Sequence, residues 1–307
     1  MIITLPDTDA AGIHVALVDA RHNIGVASSM VFTLIVVSDQ EHHERALLAC
    51  HGAGREHPSR IILVCNGDDD SDRLDAEIRL GEEVPGEIIS LTFHGELTEH
   101  RASVVLPLLL PDSPVVAWWP GNAPDRPGQD PLGKLAVRRI TDAMGERHPL
   151  AAMERRARNY SPGDTDLTWT RLTPWRALLA AAVDSYPAEI TDVLVRAAPD
   201  NAASMLLSAW LEDRLGVPVD RTESDHGVGI TNVVLRTRNG DISIVREDGK
   251  TATFSAPGLT RRQVALRQRE VNTLIAEELR RLDVDDIFAS AMGTLVRQCE
   301  RDEVRSA

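Results

Sequence analysis

Aromatic rings are scarce in this chain, with four Phe, five Trp and two Tyr among 307 residues. A core with so few rings is filled by aliphatic side chains, and each ring present marks a place where packing or recognition is concentrated. Cysteine is scarcer still. Cys50, Cys65 and Cys299 lie far apart and form no C-x-x-C pair, which argues against a disulfide framework and against paired-cysteine zinc or dithiol chemistry. Reduced structural thiols are expected at all three. No apolar run approaches the roughly 18 to 20 residues that cross a bilayer. The N-terminus, MIITLPDTDAAGIHVALVDA, has neither a basic region nor a sustained apolar core, so a cytoplasmic location with no membrane partner is expected. Positive charge is also in deficit, with 33 Lys and Arg against 47 Asp and Glu and a net charge of −14. Neutralising a phosphate backbone needs clustered cations, so nucleic acid is not an expected partner.

The acidic excess is local. Between Asn66 and His100 there are eleven acidic and two basic side chains, which accounts for nine of the fourteen net negative charges. The run NGDDDSD reads as a solvated loop followed by exposed strand edges, because it lacks the central Gly and the terminal Glu of a calcium-binding loop.

What the chain does have is size and an apolar fraction of 43%. That exceeds the length at which one core keeps growing, so two domains of roughly 150 residues are expected. In the first half, VFTLIVV (Val31 to Val37), SRIILVCN (Ser59 to Asn66), GEIISLTFHG (Gly86 to Gly95) and SPVVAWWPG (Ser113 to Gly121) read as strands buried on both faces. Between the first two, Ser38 or Asp39 caps a helix EHHERALLACHGAG that Gly52 and Gly54 end, which predicts a βαβ unit with parallel pairing. TEHRASVVLPLLL reads as a helix interrupted by Pro107, PGNAPDRPGQDPLG as a loop, and PLGKLAVRRITDAMG as a helix or turn. An α/β domain over 1–160, a mostly parallel sheet flanked by helices, ends near NYSPGDTD (Asn159 to Asp166).

The second domain, 161–307, reads as α+β, with an antiparallel meander packed on helices. EITDVLVRA is a strand, and NAASMLLSAWLEDRLG is a helix capped by Asn201 and stopped by Gly216. Asn239-Gly240 and Asp248-Gly249 are turn dipeptides between alternating strands. Thr260 with Gln263 predicts a capping box for a helix RRQVALRQREVNTLIAEELRRL, and Asp283 the start of VDDIFASAMGTLVRQCE. Val264, Val271, Ile275, Leu279 and Leu282 make one apolar stripe and Ile287, Phe288, Ala291 and Leu295 another, so these helices are expected to cover one face of the meander.

Catalytic motifs are not found. A nucleotide site needs a glycine-rich turn after a strand and before a helix. HGAGR (His51 to Arg55) follows a helix instead, and HGVGI (His226 to Ile230) precedes a strand. His42, His43 and His51 do not share a face at ligand spacing, and no G-x-S-x-G elbow seats a nucleophile. Neither cofactor, metal nor catalytic residue is assigned.

The informative stretch is DLTWTRLTPWRALLA (Asp166 to Ala180). Thr173 as cap and Pro174 at the first position predict a helix that buries Trp175, Leu178, Leu179 and Ala182 and points Arg176 away. Upstream, Leu167, Trp169 and Arg171 share one side of an extended segment, where the planar Arg group stacks on indole or grips a carboxylate. In PVVAWW, alternation puts Trp118 and Trp119 on opposite faces, one ring in the core and one near a surface. Trp beside Arg is the composition of protein-protein hot spots, and it is equally the composition of core rings held by ion-pair struts. Packing is the simpler reading for Trp118 and Trp175, and a docking face for Trp119, Trp169 and Arg171.

LLLPDSPVVAWWPG, DPLGKLAVRRITDA and DLTWTRLTPWRALLA, in this order, resemble the OpcA family of bacterial glucose-6-phosphate dehydrogenase assembly proteins. SRIILVCN, DAEIRLG (Asp75 to Gly81) and SAWLEDRLG extend the resemblance over about Ser59 to Gly216. It implies a non-catalytic protein that binds glucose-6-phosphate dehydrogenase and promotes its active oligomeric form. The positions matching the family motifs are Trp118, Trp119, Arg138, Arg139, Asp142, Trp169, Arg171, Trp175 and Arg176, which either bind the partner or pack the domains. An alternative reading is a sugar-phosphate-binding enzyme or metabolite sensor, in which Arg138, Arg139, Arg171 and Arg176 converge on an anionic metabolite.

Overall fold

The computed structural model describes residues 1–24, 30–39, 46–49, 58–68, 70–81 and 86–306. The chain forms two compact units. One comprises Met1–Asp142 with Gly163–Thr165 and Val271–Val284; the other comprises Ala143–Pro162, Asp166–Glu270 and Asp285–Ala307.

The first unit is built on an eight-stranded sheet. Strands β2 (Thr33–Val37), β3 (Ser59–Asn66), β5 (Gly86–Phe93), β6 (Val115–Trp118) and β7 (Arg138–Thr141) lie in the order β5-β3-β2-β6-β7 and pair in parallel. Strands β4 (Leu74–Leu80) and β1 (Ile2–Leu5) extend one edge antiparallel, and β8 (Asp164–Asp166) closes the other. The apolar runs explain the pairing. β3 is buried at every position except its last, as expected of a strand covered on both faces, whereas β4 alternates buried and half-buried residues. Helix α1 (Ala10–Ile24) is capped by Asp9, whose carboxylate accepts from Gly12 N at 2.8 Å, and packs Ile13 and Leu17 into this core. Its last turn is tied to the sheet through Glu87, which accepts from Arg21 and from Arg60 Nε at 2.9 Å. The segment read as a helix around Pro107 is a succession of short turns, with a helical stretch α2 (Arg101–Val105) between 3-10 segments. Residues 46–49 are helical; the rest of the helix expected over Glu41 to Gly54 lies outside the described residues.

The second unit carries a six-stranded sheet in the order β10-β9-β11-β12-β13-β14. β10 (Val219–Glu223) runs parallel to β9 (Ile190–Ala197), and β11 (Ile230–Thr237), β12 (Ile242–Val245), β13 (Thr251–Ser255) and β14 (Arg262–Ala265) form an antiparallel meander. The turn dipeptides are where the sequence put them. Gly240 and Gly249 have positive φ, and Asp248 accepts from Lys250 N and Thr251 N. Four further helices belong to this unit's first part: α3 (Pro149–Arg158), α4 (Leu167–Arg171), α5 (Thr173–Ser185) and α6 (Ala202–Leu215). Asn201 caps α6 by accepting from Ser204 N, and Gly216 ends it in the left-handed conformation. Residues 202–209 of α6 are buried on all sides, so it is a core helix.

Three expectations are corrected. The Arg138-Arg139 segment, read as a helix or turn, is strand β7, because pairing with β6 outweighs weak local propensity. The capping box at Thr260 opens no helix: Arg262–Ala265 pairs with β13, and helix α7 (Val271–Glu278) begins only afterwards. Helix α8 (Asp286–Ser306) is capped by Asp285, not Asp283, since Asp285 Oδ1 accepts from Phe288 N at 2.9 Å. α8 contributes Phe288, Ala291 and Leu295 to the same core as the meander, whereas α7 belongs to the first unit. No helix among the described residues is long and apolar enough to cross a membrane.

Candidate partner-binding site

The segment Asp166–Ala180 is two short helices rather than an extended strand and a helix. Asp166 is fully buried, and its two carboxylate oxygens accept from Thr168 N at 2.8 Å and Ala143 N at 2.9 Å, which starts α4 immediately after β8. Helical geometry rotates Trp169 by roughly 200° from Leu167, so the side shared by Leu167, Trp169 and Arg171 in an extended chain does not exist. Leu172 joins α4 to α5, and Pro174 sits in the first turn of α5, where its missing N–H costs nothing.

Trp169 is the hub. It is 2% exposed, donates from Nε1 to Asp285 Oδ2 at 2.8 Å, and packs its ring 5.5 Å from that of Phe288. Asp285 thereby uses one oxygen to cap α8 and the other to hold the indole. The guanidinium of Arg176 lies 3.5 Å from the Trp169 ring centroid and donates to Thr173 Oγ1 at 3.2 Å. Arg176, expected to point away, is therefore the stacked arginine, and the half-exposed Arg171 is not. Trp175 is buried on the other side of the junction, 5.2 Å from the guanidinium of Arg246.

In the first unit, Trp118 and Trp119 are both buried, so neither ring is left near a surface. β6 is an interior strand with both faces covered, and Trp119, just past its end, donates from its backbone to Ile140 and packs against the Gly133 turn. Arg138 and Arg139 are consecutive on β7 and so point to opposite faces. Arg138 pairs with Glu278 and donates to Asp283 O at 2.7 Å; Arg139 pairs with Asp164 and donates to Ala136 O at 3.0 Å. Each therefore meets its own carboxylate, and the two do not form one anion site. Asp142 is buried just beyond the same strand.

Sequence reasoning missed Asp285, Glu278 and Arg246. Asp285 stands in the run Asp283-Val284-Asp285-Asp286, where any of three carboxylates reads as a cap; nothing local marks the other two. Cys65 is buried and lies 3.2 Å from Ser38 Oγ, and burial pushes its thiol pKa up; burial does the same to the half-buried Cys299. Cys50, His42, His43 and His51 lie outside the described residues. No group of three metal-ligating side chains occurs among the described residues.

Strand order places a topological switch between β2 and β6, because the strands following β2 go to one side and those after β5 to the other. In such sheets ligands bind beyond the C-terminal ends of the strands at that switch, with phosphates on a glycine turn. Here the sequence leaving β2 reads Ser38-Asp39-Gln40-Glu41-His42-His43-Glu44, with no glycine and three acids.

Residues 51–158 match the family model described as the glucose-6-phosphate dehydrogenase subunit N-terminal domain of the OpcA type, and residues 162–292 match the corresponding C-terminal domain. The chain belongs to the OpcA family. Its N-terminal match spans β3 to α3, and its C-terminal match contains the whole of the Asp166–Ala180 helix pair. No curated protein matches this OpcA chain in sequence. Among solved structures it is similar to a 3-ketoreductase from Actinomadura kijaniata at 11% identity and TM-score 0.49, covering 88% of this chain and 96% of that one. It is also similar to a dehydrogenase from Clostridium difficile at 8% and 0.46, covering 90% and 99%. An oxidoreductase from Sinorhizobium meliloti matches at 9% and 0.49, covering 89% and 99%. Likeness at this level carries no inference about chemistry.

Proposed function

We propose that this OpcA-family chain is a non-catalytic assembly and activating partner of glucose-6-phosphate dehydrogenase, at the head of the oxidative pentose phosphate pathway. The observation that carries the reading is the match to both dehydrogenase-subunit domains, in order, over 51–158 and 162–292. A partner raises an enzyme's activity by binding the active conformation or oligomer more tightly than the inactive one, and shifts the population by that difference.

The non-catalytic part of the reading is supported by the sequence that leaves β2 at the sheet's switch point, which has no glycine from Ser38 to Glu44. For docking, the half-exposed Arg171 and Arg176 are the groups we assign to the enzyme, with Trp169 as the rigid base beneath Arg176. Trp118, Trp119, Arg138, Arg139, Asp142 and Trp175 then act from behind, by holding the two units' cores. The alternative, a phosphosugar enzyme, needs Arg138 and Arg139 to offer charge that Glu278 and Asp164 already meet.

The test is the rate and sedimentation of the cognate dehydrogenase with and without the chain. A faster dehydrogenase in a co-sedimenting complex is expected; an unchanged rate with separate boundaries overturns the proposal.

A further inference from the structure

The sheet of the second unit ends in an open edge. β14 is the last strand in the order β10-β9-β11-β12-β13-β14, and every one of its residues, Arg262 to Ala265, is exposed. Its register with β13 says which backbone groups are free to pair. Leu266 N donates to Lys250 O at 2.8 Å and Val264 stands opposite Ala252, so alternation turns the N–H and C=O of Arg262 and Val264 toward β13. Those of Gln263 and Ala265 then point outward, and among the described residues no strand pairs with them. An edge left open in this way is a template for a further strand.

The side chains add two observations. On the face that carries the core, Ala252 is 0% exposed whereas its neighbour Val264 is 37% exposed, so the core stops one strand short of the edge and leaves an apolar side chain uncovered. The edge is also basic. From Thr251 to Arg269 the chain has four arginines and neither Asp nor Glu, in a protein of net charge −14. Arg269 is taken up by Thr170 O, but Arg261, Arg262 and Arg267 are exposed and make no ion pair among the described residues. Arg261 shares a shallow depression on the sheet's outer face with Glu247 and Asp248, which belong to the β12–β13 turn, on the far side of β14 from an added strand. The opposite edge differs, since β10 carries both signs together in Asp220, Arg221 and Glu223.

We infer that β14 is a docking edge, which takes an acidic extended segment of a partner protein as a further antiparallel strand. Charge decides the occupant. A second copy of β14 would lay arginines beside arginines, whereas an acidic strand meets Arg261, Arg262 and Arg267 with opposite sign. The register gives the pattern of that segment: an apolar residue opposite Val264, acids opposite the three arginines, and backbone bonds to Gln263 and Ala265. The inference does not rest on the dehydrogenase reading. Its test uses this chain and a synthetic strand, so its failure leaves that reading untouched.

Fluorescence anisotropy of the labelled, end-capped peptide Glu-Thr-Thr-Val-Thr-Glu-Glu with the full chain decides it. The peptide is written so that its first residue lies opposite Arg267 and its last opposite Arg261. Saturable one-to-one binding is expected. Methylating the backbone nitrogens of its third and fifth residues, which face Ala265 and Gln263, removes the strand bonds but keeps every charge, and should weaken binding at least about tenfold. So should exchanging its acids for lysine, and so should the exposed pair Arg261→Gln, Arg262→Gln in the protein. Arg297→Gln, an exposed arginine on α8, should bind as the unaltered chain does. No saturable binding, equal binding of the methylated or the lysine peptide, or unchanged binding by the double variant overturns the inference. Self-association of the chain that Ala265→Pro abolishes assigns the edge to a second copy and overturns it as well.

Discussion

The guanidinium of Arg176 lies 3.5 Å from the centroid of the Trp169 indole and folds back across the α4–α5 junction to do so. A motif arginine and a motif tryptophan are thus one structural element, the ring buried and the cation laid on it. Removing the charge should cost little stability and removing the ring a great deal. Arg176→Met is expected to lower unfolding free energy by about 0.5 to 2 kcal/mol, and Trp169→Ala by about 3 to 5 kcal/mol. Urea denaturation measures both. If Arg171 and Arg176 face the dehydrogenase, Arg176→Met and Arg171→Met reduce its activation while remaining folded. Full activation by the double variant removes both from the docking face.

Trp169→Phe isolates the hydrogen bond to Asp285. The smaller ring keeps the packing against Phe288 but leaves Asp285 Oδ2 without its donor, so a loss of about 1 kcal/mol beyond the packing change is expected. Asp285→Asn in the same background should then cost less than it does alone, because the two residues share one contact. Strictly additive losses would show that the contact contributes nothing.

Glu278 is buried against Arg138, and Glu278→Ala leaves that cation in the core with only the Asp283 carbonyl to meet it. A loss of about 3 to 5 kcal/mol is expected. The double variant Arg138→Met, Glu278→Leu should recover most of it, since no charge is then stranded. A double variant no more stable than Glu278→Ala alone would contradict the pairing.

Gly133, in the DPLGKLAVRRITDA block, is required to be glycine for a steric reason. A Cβ there would lie 1.9 Å from Pro127 O and 3.3 Å from the Trp119 ring. Backbone cannot give way as a side-chain tip does, so Gly133→Ala is expected to cost about 1 to 3 kcal/mol and to change Trp119 fluorescence. Unaltered melting and emission would show that the Pro127 carbonyl yields to the added methyl without cost.

Asp75 gives the acid limb of stability its sign. The backbone N–H of Asp7 donates to its carboxylate, with Arg73 and His94 alongside, and its pKa is held below the ordinary 3.8. A carboxylate depressed in the folded state stabilises above its unfolded pKa and loses that contribution as pH falls through the folded value. Asp75→Asn should therefore lower stability at neutral pH and flatten the melting-temperature profile below about pH 4. An unchanged acid limb would remove Asp75 from that role.

Much of the fold was legible because its signals are local. β3 and β5 are runs whose burial is written in composition, and Asn201, Gly216, Gly240 and Asp248 act within a few residues of themselves. The candidate site was legible as a set of residues but not as a geometry. Extended alternation placed Arg171 on Trp169; a buried cap at Asp166 makes the segment helical, and the arginine that reaches the ring is Arg176. The alternation rule failed for Trp119 because the chain leaves the strand at Trp118 and the Gly133 turn covers the ring.

By itself the sequence determined the inventory: which segments are apolar on both faces, where turns fall, that no glycine loop follows β2, and the family to which the blocks belong. Only the tertiary structure decided that Arg138 and Arg139 form a strand, that Val264 lies in one as well, that Glu278 answers Arg138 from 140 residues away, and that Arg246 is buried against three backbone carbonyls. The reason is range. Caps and turns are satisfied by neighbours in the chain, whereas strand pairing and buried charge are settled by whichever distant group arrives to meet them, and no local pattern carries that information.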